Sequence, residues 1–134
     1  MAAFVLDSFA LLAYFRNEQG SDVVEELLTE AANDKHLLFI TNVNAGEIYY
    51  ISARKDGTRK AELAWQAISQ LPLQIIEANL DLTLAAAKIK ARHSLSYADA
   101  FAAALTIRQK ATLVTGDKEF KALEGESGFK VKYL

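Results

Sequence analysis

The chain has 134 residues, of which 51% are hydrophobic and 24% charged, with a formal net charge of −2 and no cysteine. That length suits one compact domain burying about two thirds of its unfolded surface, and no run reaches the ~18 apolar residues that a membrane helix needs. The missing cysteines exclude disulfides, thiolate zinc sites and cysteine nucleophiles and fit a reducing cytoplasm, while the net charge argues against holding nucleic acid by broad phosphate neutralisation alone.

In chain order, Phe4 to Leu6 is a short apolar run ending at Asp7-Ser8 and reads as a buried strand. Val24, Leu27, Leu28 and Ala31 fall at i, i+3, i+4 and i+7, the spacing of one helix face. Leu37 to Ile40, preceded by polar Asp34-Lys35-His36, predicts a second strand, and a helix carrying Glu47 begins after it. Gly57-Thr58 reads as a turn between two helices, the second marked by Ala64, Ala67, Ile68 and Leu71. Leu73 to Ile76 follows the only proline, Pro72, as a third strand. Two further helical patterns are Leu82, Ala85, Ala86 and Ile89, then Ala98, Phe101, Ala102 and Leu105. Thr112 to Val114 predicts a fourth strand and, after a loop at Gly125 to Gly128, Phe129 to Tyr133 a fifth. Strands too apolar for a wet face, alternating with helices, imply an α/β fold whose mainly parallel sheet is covered on both sides. No repeat, linker or low-complexity segment interrupts residues 1–134, so one domain is expected.

Ligands of such a sheet bind beyond the carboxyl ends of its strands. Asp7 directly follows the first strand, and Asp117 follows Leu113-Val114-Thr115 with only Gly116 between. Glu47 lies about two turns into its helix and Asp99 in the first turn of one opening near Ser96. Each acid also has a purely structural reading. Asp7 and Asp117 suit helix N-caps, Ser96-x-x-Asp99 resembles a capping box, and Asn44-x-x-Glu47 has the same spacing. Glu47 sits among Ala45, Ile48 and Tyr49, and Asp99 among Ala98, Phe101, Ala102 and Ala103; a charge in such surroundings needs a partner. Four converging carboxylates repel one another, and a hard divalent cation such as Mg2+ or Mn2+ relieves that repulsion through oxygen ligands. Such a cation supports phosphodiester hydrolysis without histidine or cysteine.

At these residues the chain resembles the PIN-domain ribonucleases, and among them the short toxins of the VapC type. The resemblance spans nearly the full length. It rests on Phe4-Val5-Leu6-Asp7-Ser8, Asn44-Ala45-Gly46-Glu47-Ile48, Ser96 to Ala104, and Leu113-Val114-Thr115-Gly116-Asp117-Lys118-Glu119-Phe120. It implies a three-layer α/β/α sandwich with a parallel sheet of five strands, and Asp7, Glu47, Asp99 and Asp117 as catalytic and metal-binding residues. It further implies Mg2+ or Mn2+ dependence, endonucleolytic RNA cleavage, homodimerisation and a cognate antitoxin. Ser8 and Thr115 match positions where a hydroxyl supports the site, although either also suits a backbone bond at a turn. Gly116 stands where relatives often carry a side chain, so one polar contact near the metal is missing.

Two basic groups, Lys88, Lys90, Arg92 with His93, and Arg54, Lys55, Arg59 with Lys60, read either as phosphate contacts or as solvated helix ends. The alternative to a nuclease is a catalytically inactive module of the same fold that binds RNA or protein. An aspartyl-phosphate phosphatase would show Asp-x-Asp after the first strand, which Leu6-Asp7-Ser8-Phe9 lacks, and no phosphate-binding Gly-x-x-x-x-Gly-Lys loop is present.

Overall fold

A computed structural model describes residues 1–134. Its strands are β1 (Ala3–Leu6), β2 (Leu37–Thr41), β3 (Gln74–Ile76), β4 (Thr112–Thr115) and β5 (Val131–Tyr133). The helices are α1 (Ser8–Phe15), α2 (Ser21–Ala32), α3 (Asn42–Asp56), α4 (Thr58–Ile68), α5 (Leu80–Arg92) and α6 (Tyr97–Arg108), with a 3-10 helix at Lys118–Leu123. All neighbouring strands pair in parallel, in the order β3-β2-β1-β4-β5. The expected α/β/α sandwich with five parallel strands is therefore what the chain forms.

Side chains alternate across each strand, so the central strands feed two cores. Leu6, Leu38, Ile40 and Val114 pack under α1 to α4, where Leu11, Leu28, Ile48 and Ile68 meet them. Val5, Phe39 and Leu113 face α5, α6 and the 3-10 helix, contributing to a cluster with Leu82, Leu105 and Phe120. No helix is long and apolar enough to cross a membrane.

The sequence-based elements differ from the structure in three places. The third and fifth strands begin later than expected, at Gln74 and Val131. Both are edge strands, each paired on one side only, where apolar patterning extends past the hydrogen-bonded pairs. Helix α1 was not anticipated, because Ala10, Leu11, Leu12 and Ala13 are all buried and a continuous apolar run carries no 3.6-residue period. Asn44 is not the cap of α3. Thr41 is, its hydroxyl accepting from the Asn44 N–H. The Gly57 turn holds as expected, with φ at +94° between α3 and α4.

Helix α6 is the most enclosed element, with every residue from Asp99 to Thr106 buried. Its run Ala102-Ala103-Ala104 keeps the side chains small enough for the helix to lie between the sheet and its neighbours. Ala103 is fully buried, and close-packed interiors leave little space for added methylenes. Ala103→Leu is expected to destabilise the fold by about 1–3 kcal/mol, read as a lower urea midpoint with unchanged slope.

Candidate active site

The strand order reverses at β1, which has β2 on one side and β4 on the other; the helices connecting β1, β2 and β3 (α1 to α4) cover one face, and those leading from β3 to β4 (α5 and α6) cover the opposite one. Beyond the carboxyl ends of β1 and β4 this topology leaves a crevice. A cleft of about 490 Å³ opens there, lined by Asp7, Ser8, Glu47, Asp99, Asp117 and Glu119 together with Lys55 and Phe9. The four acids expected from sequence thus share one cavity, and Thr115 lies buried beneath it.

Each acid is positioned by its element. Because Leu6 pairs with Val114, Asp7 stands level with Thr115 on the next strand. The Thr115 hydroxyl donates to Asp7 Oδ2 and accepts from the Asp117 N–H at 2.9 Å, so one side chain ties the ends of β1 and β4 together. Asp7 Oδ1 accepts from the Ala10 N–H at 2.9 Å and caps α1. Asp117 likewise caps the 3-10 helix, accepting from the Glu119 N–H at 2.9 Å. Ser96 caps α6 through the Asp99 N–H, which sets Asp99 in the first turn facing the cleft. Glu47 is held by Ser8, whose hydroxyl donates to Oε1 at 2.8 Å, and by the Asn44 side-chain amide at 3.3 Å. That same amide donates to the Ala98 carbonyl, joining α3 to α6.

Three carboxylates approach most closely: one oxygen each from Asp99, Asp117 and Glu119 lie within 4.8 Å of one another. Glu47 and Asp7 face the same cleft outside that trio. None of the five acids takes part in an ion pair. Asp7 is 2% exposed, and its burial, reinforced by Asp99 and Asp117, pushes the carboxyl up to about 7 despite the bonds from Thr115 and Ala10. Burial followed by the charge of Asp117 raises Asp99 to about 6. An all-oxygen donor set with unrelieved negative charge fits a hard divalent cation of the Mg2+ or Mn2+ kind.

Sequence reasoning did not single out Asn44 or Glu119. Asn44 is fully buried and its role shows only once α6 is beside it. Glu119 was visible only as the second residue after Asp117. The basic groups divide. Arg92 and His93 pair with Glu126, and Lys90 donates to the Leu95 carbonyl, whereas Lys55 faces the cleft. Arg16 also lines the cleft but is paired with Asp56 at 3.0 Å.

The sequence model of the PIN domain matches residues 4–126 of the chain. No curated protein matches it. Among solved structures, VapBC2 from Rickettsia felis, bound to a fragment of promoter DNA, superposes with a TM-score of 0.75 at 16% identity, covering 98% of both chains. DNA-bound VapBC from Salmonella typhimurium gives 0.75 at 13% identity, covering 99% of this chain and 98% of that one. VapC20 of Mycobacterium tuberculosis, a toxin that cleaves the sarcin-ricin loop, gives 0.71 at 20% identity, covering 90% and 94%.

The raised Asp7 carboxyl sets a pH dependence. Its folded value of about 7 exceeds the unfolded 3.8, so its favourable contribution is complete below pH 4 and is lost as pH rises to 7. In EDTA the melting temperature is expected to fall by at least about 5 °C between pH 4.5 and 7.5, and Mg2+ or Mn2+ to restore it at the higher pH. Asp7→Asn, which keeps an acceptor for Ala10, flattens that decline when measured by thermal denaturation.

Proposed function

The chain belongs to the PIN-domain family, and on that premise we propose that it is a metal-dependent endoribonuclease, the toxin of a toxin–antitoxin pair, acting as one domain over residues 1–134 in the cytoplasm. The observation that carries this reading is the convergence of Asp7, Glu47, Asp99, Asp117 and Glu119 on one cleft with no cationic partner. RNA as substrate draws support from the fold shared with VapC20, which cleaves an RNA loop. A cognate antitoxin draws support from the VapBC complexes of the same fold, and a homodimer from the sequence resemblance.

In this proposal Asp7, Glu47, Asp99 and Asp117 are the catalytic and metal-binding residues, with Glu119 joining Asp99 and Asp117. Mg2+ or Mn2+, when bound, supplies hydroxide at neutral pH and stabilises charge on the phosphodiester oxygens. The protein's part is to keep the donors fixed. Thr115 orients Asp7 and the backbone leading into Asp117, and Ser8 with Asn44 prevents Glu47 from turning to solvent. Lys55, facing the cleft without an acidic partner, meets a phosphate of the substrate. Helix N-termini at Asp7, Ser96 and Asp117 add positive potential on the same side.

The test is cleavage of total cellular RNA, transfer RNA included, by purified protein with Mg2+ or Mn2+. Discrete products are expected, abolished by EDTA and reduced more than about 100-fold in Asp99→Asn, with Thr115→Val, which removes only the supporting hydroxyl, costing about 10- to 100-fold. Cleavage by Asp99→Asn at the parent rate would sink the mechanism, and RNA binding without cleavage or calorimetric metal uptake would leave a binding module in its place.

A further inference from the structure

One residue lining the acid cleft has no part in holding acids or metal. Phe9 directly follows Ser8 in the first turn of α1, lines the cleft and is 45% exposed as a residue. The ring lies against Gly116, the residue between Thr115 and Asp117. A Cβ at position 116 would lie 2.2 Å from Phe9 Cε1 and 2.8 Å from both Cδ1 and Cζ, so the glycine is what admits the ring. The backbone at Gly116 does not have positive φ, and the ring is therefore the steric reason for glycine there. The space that a side chain beside Asp117 would fill is given instead to an aromatic surface at the lip of the cleft.

An exposed phenyl ring among carboxylates offers a nucleic acid neither charge nor hydrogen bonds. What it offers is a flat apolar face, on which any unpaired base stacks with little dependence on sequence. We infer that Phe9, seated on Gly116, is the stacking platform for an unpaired nucleobase next to the scissile phosphate. The inference rests on the nuclease reading and adds to it the residue that receives the base. In a base-paired A-form stem the bases are stacked on one another, leaving no free face for Phe9; loops, bulges and single strands supply one.

The test uses a short single-stranded RNA carrying 2-aminopurine, with Ca2+ in place of the catalytic cation. Fluorescence anisotropy reads binding and quenching of the 2-aminopurine reads stacking. Phe9→Leu, which still covers Gly116 with apolar surface, is expected to weaken binding about 5- to 100-fold and to abolish the quench, whereas Phe9→Tyr retains both. Gly116→Ala, which displaces the ring, is expected to weaken binding in the parent and to change nothing further in a Phe9→Leu background. A fully duplex RNA of the same sequence is expected to bind alike to parent and Phe9→Leu. Equal affinity and equal quench for parent and Phe9→Leu, with unchanged melting temperatures, would overturn the stacking role while leaving the nuclease reading intact. Failure of the parent to bind the single strand at all would overturn both.

Discussion

The solvation of Asp7 is the constraint around which the cleft is organised. Its carboxylate stands at the end of a central strand, 2% exposed, and receives only the Ala10 N–H and the Thr115 hydroxyl. Those two bonds oppose the effect of burial without cancelling it, and the neighbouring acids act in the same direction as burial. A group this costly to ionise is retained only where something compensates, and the low-dielectric surroundings that penalise the bare charge strengthen its attraction to a cation. The parallel pairing of β1 with β4 then matters beyond the sheet. It brings Thr115 level with Asp7, and Thr115 in turn fixes the backbone at Asp117.

The same acids cap helices and face the cleft. Asp7 caps α1, Asp117 caps the 3-10 helix, and Asp99 occupies the first turn of α6 behind the Ser96 cap. The choice between a structural and a functional reading, open for each residue taken singly, dissolves because a doubly wound sheet directs the N-termini of its following helices toward the crevice. Unsatisfied amide groups at those termini lower the cost of gathering several negative charges in one place. Capping fixes the carboxylates in position, and the sheet order makes those positions converge.

Much of this was legible in the sequence because it is locally encoded. Buried strands appear as apolar runs, amphipathic helices show their period, and an acid immediately after a strand is readable as one at the sheet's carboxyl edge. What escaped depends on contacts remote in sequence or on uniform patterns. Helix α1 is apolar on every face that its neighbours cover, so no period marks it. Asn44 looked like a cap because it precedes Glu47 by three residues, yet its amide bridges Glu47 to Ala98, 54 positions away. Gly116 read as the loss of a polar contact, whereas its missing side chain is occupied by the ring of Phe9, a pairing across more than a hundred residues that no local rule anticipates.

The charge distribution gives the site its character. Although the chain carries 15 lysines and arginines, only Lys55 and Arg16 line the cleft, and Arg16 is committed to Asp56. Arg92 and His93 are likewise committed, holding Glu126 in the loop before β5. A surface with so few free cations near its acids cannot draw a polyanion in by counterion release on the scale of a basic groove. In the proposed reading, recognition falls on short-range contacts that carboxylates do not repel: a cation shared with the phosphate, one lysine, and a base stacked on an apolar face. On that proposal the site favours a small exposed element of a folded RNA over a long tract of backbone, because only the former concentrates its binding groups within a cleft of about 490 Å³.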